Sequence, residues 1–137
     1  MSRSGYNEDI GNDWSMIMYR GAVTSAVRGR RGQKFLRDLL TALDALPEKK
    51  LIKGELECDD GVCALGALGR ARSIPMEDID PEHIVIVAGL FDIAEALARE
   101  VVYENDEAVG DYIKETPEAR FVRVRRWVVE NIREAPA

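Results

Sequence analysis

Cysteine and histidine are scarce in this chain of 137 residues, which has two cysteines, Cys58 and Cys63, and one histidine, His83. Two thiols cannot build a disulfide scaffold. Reduced thiols in a cytoplasmic setting are the economical expectation. A tetrahedral zinc site needs four ligands, and the lone histidine is far along the chain from the two cysteines. Cys58 and Cys63 flank Asp59-Asp60-Gly61 and are expected to be structural thiols, with pairing across that turn as the alternative. His83 has no evident partner and is a poor general base. Long apolar runs are missing too. The longest, from Ile84 to Phe91, is far short of the ~20 residues of a membrane-spanning helix. Residues 1–13 carry Glu8, Asp9 and Asp13 with no apolar core segment, so no signal peptide and no membrane contact are expected. Cations are the minority charge, 19 against 25 acids, for a net charge of −6. That balance disfavours nucleic acid, whose binding depends on Lys and Arg displacing counterions from phosphate.

What is present is the composition of a folded domain. Hydrophobic residues make up 46% and charged residues 32%, and the length suits one domain with one core. Residues 1–12 have little apolar content and are expected to form a mobile N-terminal arm. A helix is expected from Trp14 to about Arg28, with Arg20, Thr24 and Arg28 as its polar stripe. Trp14, Ile17, Met18, Tyr19, Ala22, Val23 and Val27 cover most of the rest, an arc wide enough for packing on more than one side. Gly29 and Gly32 interrupt the pattern. A second helix then runs from about Gln33 to Leu46 and stops before Pro47. Weak alternation from Leu51 and the Asp-Asp-Gly turn suggest a short hairpin near residues 51–63. Ala64–Arg72 reads as a helix whose Gly66 and Gly69 would let another helix approach. Asp80-Pro81-Glu82 reads as the start of the helix through Ile84–Val87. Asp92 reads as the cap of a helix from Ile93 to about Glu104, with Ile93, Leu97, Val101 and Val102 facing inward. Thr116-Pro117-Glu118 opens a last helix, to about Arg133, with Phe121, Val124, Val128 and Ile132 inside. The expected fold is mainly α, one compact domain over 13–135 with five to six helices and that hairpin.

Two charge features carry the candidate sites. Arg28, Arg30, Arg31, Lys34 and Arg37 place five cations in ten residues, a candidate patch for phosphate or an acidic partner at a helix junction. Residues 92–107 hold six acids and one base; Glu100, Glu104, Asp106 and Glu107 form the candidate acidic face. The same stretch overlaps a helix-turn-helix pattern over 84–102, in Val87-Ala88, Phe91-Asp92-Ile93, Ala98 and Val101. Its would-be reading helix carries Glu95, Glu100 and Glu104 against Arg99, the wrong sign for a phosphate-lined groove. Arg123, Arg126, Glu130 and Arg133 read as a solvated face of the last helix, with Arg126 and Glu130 spaced to pair. No phosphate loop, calcium loop or nucleophile–base pair stands out, so no catalysis, cofactor or metal is expected.

Five segments carry a resemblance: Arg20-Gly-Ala-Val-Thr-Ser-Ala-Val-Arg-Gly-Arg-Arg-Gly-Gln, Leu43-Asp-Ala-Leu-Pro-Glu-Lys-Lys-Leu-Ile, Val62-Cys-Ala-Leu-Gly-Ala-Leu-Gly-Arg-Ala-Arg, Ala98-Arg-Glu-Val-Val-Tyr-Glu-Asn-Asp-Glu and Glu115-Thr-Pro-Glu-Ala-Arg. The chain resembles a group of short uncharacterised proteins of tailed phages and prophages. The resemblance implies a setting, the cytoplasm of an infected or lysogenic bacterium, and brings no site residues. The expected function is a non-enzymatic accessory protein that binds a protein partner, host or phage, or itself. A helix-turn-helix DNA-binding regulator is the alternative, and an acidic inhibitor of host defence a further one.

Overall fold

Six helices and one small hairpin form among residues 3–6, 13–110 and 113–133, those the computed structural model describes. α1 (Asp13–Arg28) and α2 (Arg30–Ala45) are separated by Gly29 alone, whose backbone is extended. Gly32 does not break the second helix, which starts three residues before the expected Gln33. A Cβ at Gly32 would sit 1.8 Å from the carbonyl oxygen of Ala26, so glycine is what allows the two helices to close into a corner.

β1 (Glu57–Cys58) and β2 (Gly61–Val62) pair antiparallel, Glu57 opposite Val62 and Cys58 opposite Gly61. Gly61, at φ +138°, supplies a backbone state that L side chains avoid. α3 (Ala64–Ala71) follows directly, capped by the Cys63 sulfur, which accepts from the Gly66 N–H at 3.4 Å. The small residues of α3 do allow close approach. A Cβ at Gly66 would meet the Leu56 carbonyl at 1.8 Å and one at Gly69 the Met76 sulfur at 2.6 Å. A loop and the hairpin are the nearest neighbours there, and Phe91 of the following helix also approaches Gly69, at 3.4 Å.

α4 (Ile84–Phe91) begins after the Asp80-Pro81-Glu82 signal, because Asp80 spends its carboxylate on the Glu82 N–H in a turn. α5 (Glu95–Asp106) starts at Ala94, and Asp92 does not cap it. Asp92 instead ends α4 in the left-handed region, φ 55° and ψ 51°, the conformation a turn glycine would take. α6 (Pro117–Asn131) starts where its sequence signal stands, with the Thr116 hydroxyl accepting from the Ala119 N–H at 3.1 Å.

α1, α3 and α6 each touch both α2 and α5, and α4 packs on α5. The core between them includes Leu36, Leu39, Leu43, Leu65, Leu97, Val101, Val124 and Val128, all essentially inaccessible. Each such side chain contributes roughly 1.5–3 kcal/mol by leaving water. Hence α5, whose sequence reads as a charged surface helix, is an inner element. Among its residues only Glu95 is exposed. No helix among the described residues is long and apolar enough to cross a membrane.

Candidate docking surface

α1 has two apolar sides, and the described chain covers one. Val23 and Val27 are buried and Tyr19 and Ala26 pack against the core, the side turned to α5 and α2. Trp14, Ile17 and Met18 are 70%, 63% and 60% exposed. Positions i, i+3 and i+4 lie together on a helix surface, so these side chains make one contiguous patch. The packing on more than one side expected for this helix is therefore met on one side only. Other exposed apolar residues, such as Val85 and Ile86 on α4 or Val122 and Val129 on α6, occur singly or in pairs. Isolated exposures of that kind are ordinary on a protein surface, whereas a contiguous patch is not.

The cationic cluster stands at the other end of α1. The corner's interior is tied by Gln33, which is buried. Its amide donates to the carbonyls of Val27 (2.7 Å) and Asn131 (3.0 Å), and its oxygen accepts from the Arg133 N–H at 2.7 Å. With that space filled, Arg28, Arg30, Arg31, Lys34 and Arg37 all face solvent. Arg31 approaches Asp92 at 3.5 Å and Lys34 pairs with Asp38 at 2.8 Å. Arg28, Arg30 and Arg37 have no side-chain ion pair among the described residues. Arg20 and Arg28, with Arg133, also rim a cleft of about 390 Å³ between α1 and α6, floored by Val23, Val27 and Glu100 beside Trp127.

The candidate acidic face does not form. Glu100 is 4% exposed, bonded by the Tyr6 hydroxyl at 2.9 Å and by Arg20 at 2.8 Å. Asp106 holds the Arg3 guanidinium through two 2.7 Å bonds and also accepts from Asn105 and the Gly54 N–H. Glu107 accepts from the Ser4 hydroxyl, and Glu104 is half-buried facing Arg123 at 3.7 Å. The reason is spacing: Leu97, Val101 and Val102 alternate with these acids around α5, and burying the former draws several of the latter inward. Burial raises the Asp106 carboxyl, but the Arg3 hydrogen bond and charge outweigh it and hold the group below its ordinary value. Burial and the charge of Glu100 push Glu104 above its ordinary value, against the pull of Arg123 and Arg20. Burial, then Glu100, pushes the Tyr6 phenol far up, so it remains a donor.

Residues 3–6 correct the expectation of a mobile arm, since Arg3 and Ser4 are buried; residues 1, 2 and 7–12 lie outside the described part. Arg123 is likewise no member of a solvated face. It grips Glu115 at 2.7 and 3.0 Å and the Glu104 carbonyl at 2.5 Å, and its hydrogen bond holds Glu115 below its ordinary value. Asn105 joins three elements, its oxygen accepting from the Ala64 N–H and its amide donating to the Ile52 carbonyl. Neither it nor Gln33 belongs to a motif, and only a polar residue at an inward helical position signals them.

The helix-turn-helix pattern corresponds to a real packing unit, α4, the Asp92 turn and α5. Its second helix is enclosed by α1, α3, α4 and α6, so it presents no face to a DNA groove. A cleft of about 540 Å³ has Glu55, Glu57, Asp59, Glu77 and Arg70 over Met76 and Ile79. Arg70 pairs there with Glu57 at 3.0 Å. Cys58 and Cys63 are free thiols. No group of three His, Cys, Asp or Glu suited to a metal ion occurs among the described residues. No family model, curated protein or solved structure matches the chain.

Proposed function

We propose that this chain is a non-enzymatic protein-docking module whose binding element is the outer face of α1. The observation that carries the reading is the uncovered patch of Trp14, Ile17 and Met18 on a helix that leads into a cationic corner whose Arg28, Arg30 and Arg37 make no side-chain ion pair among the described residues. A partner that lays apolar side chains on the patch and carboxylates toward Arg28, Arg30 and Arg37 gains both burial and charge complementarity. Nucleic acid fits less well, because a phosphate backbone offers nothing to a tryptophan-isoleucine-methionine patch and the chain carries a net −6. The likeness to short phage and prophage proteins supplies the setting of this proposal, the bacterial cytoplasm.

The test compares the wild-type chain with Ile17→Glu/Met18→Glu, both carrying a tag, by pull-down and by sedimentation. Complex formation, with another protein or with itself, is expected to fall at least tenfold in the variant while the helical circular-dichroism signal stays. Equal binding by both proteins would remove α1 from the interface. A mobility shift on DNA lost with Arg30→Glu/Arg31→Glu would favour the nucleic-acid reading instead.

A further inference from the structure

The cleft of about 540 Å³ lies between the hairpin and the loop that leads from α3 to α4, and none of its lining residues belongs to α1 or α2. Its floor is apolar, with Leu56 and Met76 buried and Ile79 packed on the core. Its rim is acidic. Arg70, the one cation among the lining residues, is spent on Glu57, to which it donates at 3.0 and 3.2 Å. Glu55, Asp59 and Glu77 are exposed and make no ion pair among the described residues. The acids of α5 are answered by cations from the same chain; these three are not. An apolar floor below uncompensated carboxylates favours an occupant that carries both positive charge and apolar side chains.

The hairpin shows which backbone that occupant presents. The chain at residues 61–63 is bonded on both sides: the Cys63 N–H donates to the Leu56 carbonyl at 3.1 Å, and the Val62 carbonyl accepts from the Ile52 N–H at 2.9 Å. Bonded and non-bonded residue pairs alternate along an antiparallel ladder. Glu57, opposite Val62, therefore turns its own N–H and carbonyl away from β2, and nothing among the described residues takes them up. β1 is an open edge. Leu56, Glu57 and Cys58 line the cleft in succession. Adjacent strand residues point to opposite faces, so the cleft runs along that edge and not over one face. An extended segment laid there gains backbone bonds at Glu57, as peptides do when they add to a sheet edge. Acids on an edge strand repel the same edge of another copy; they attract a segment bearing lysine or arginine. We propose that the cleft binds an extended basic segment of a partner protein. The segment pairs with β1 at Glu57, turns its cations to Glu55, Asp59 and Glu77, and sets an apolar side chain on Met76 and Ile79. This surface is additional to the outer face of α1 and opposite in charge to the corner beside it.

The test titrates the full-length protein into a fluorescein-labelled hexapeptide of alternating lysine and leucine, followed by anisotropy. The wild-type chain is expected to bind it, and Glu55→Gln/Glu77→Gln to bind at least tenfold more weakly with an unchanged helical circular-dichroism signal. Glu118→Gln/Glu130→Gln removes the same charge from exposed positions on α6 and is expected to bind as the wild type does. The same peptide with its central backbone amides methylated cannot pair with an edge and is expected to lose at least tenfold. Bound unlabelled peptide is expected to slow the modification of Cys58, which lines the cleft, at least fivefold and to leave buried Cys63 unaffected. No binding by the wild type, or an equal loss in both double variants, overturns the proposal. Undiminished binding of the methylated peptide, or an unchanged Cys58 rate, overturns it too, by placing the peptide away from the β1 edge.

Discussion

The cationic corner at residues 28–37 and the acidic stretch at 92–107 are mirror images in sequence and opposites in the folded chain. Both are dense runs of one charge on helices. In the corner, buried Phe35, Leu36 and Leu39 leave a clean outer stripe for Arg30, Lys34 and Arg37. In α5 the apolar positions spread around the helix, four neighbouring helices cover it, and the acids are drawn inside to meet Arg3, Tyr6, Arg20 and Arg123. In the corner, Arg28, Arg30 and Arg37 stay exposed with no side-chain ion pair among the described residues, whereas Glu100, Glu104 and Asp106 of α5 are paired within the fold. Charge density alone therefore says nothing about availability. What decides is how many sides of the helix are apolar.

Substitutions can break that contrast, and the largest effect is expected inside. Asp106→Ala strands the buried Arg3 guanidinium and is expected to cost about 3–5 kcal/mol of unfolding free energy in urea titrations. The loss should shrink as pH falls through and below the ordinary carboxylate range. Asp106 is depressed in the folded chain, so its contribution is complete above its unfolded value and disappears as the folded carboxyl protonates. Gly32→Ala attacks the corner itself. Its Cβ would sit 1.8 Å from a backbone oxygen, and the shift needed should cost about 1–3 kcal/mol, read as a lower thermal midpoint. Gln33→Ala leaves backbone groups of α1 and α6 without a partner and is expected to cost about 1–3 kcal/mol, checked by the same titrations.

Smaller effects sharpen the comparison from both sides. Glu104 is raised in the folded chain, so its ionisation opposes folding, and stability should decline as pH rises from its unfolded value through its folded one. Glu104→Gln is expected to remove that decline, giving a higher thermal midpoint near neutrality and little change in acid. Smallest of all, Arg30→Ala and Arg37→Ala should each change stability by under about 0.5 kcal/mol. A larger loss would show that the corner's cations serve the fold after all.

Elements with local signals were legible in the sequence. Thr116-Pro117 opens α6 where it should, the leucines of α2 face the core, and the Asp-Asp-Gly turn marks the hairpin. The packing of α4 on α5 was also readable, although Asp92 was assigned to the wrong helix because a capping aspartate and a left-handed aspartate look alike in sequence. Long-range partners were not readable. Arg3 and Asp106 are 103 residues apart, and nothing local in Arg3-Ser-Gly-Tyr announces that Arg3 and Ser4 are buried. Nor does helical periodicity tell whether an apolar side is covered by the same chain, as with Val23, or left bare, as with Ile17.

The sulfur of Cys63 gives this architecture a built-in clock. It is sealed under Arg3 at the start of α3, while Cys58, half-exposed on the hairpin, is the chain's other thiol. A thiol reagent should modify Cys58 promptly and Cys63 only as often as residues 3–6 lift away. Where lifting and reclosing are fast relative to modification, the ratio of the two rates reports the equilibrium for that lifting alone. The molecule thus carries, in its two cysteines, a slow hand and a fast hand from which the hold on its own N-terminal segment can be timed without unfolding anything else.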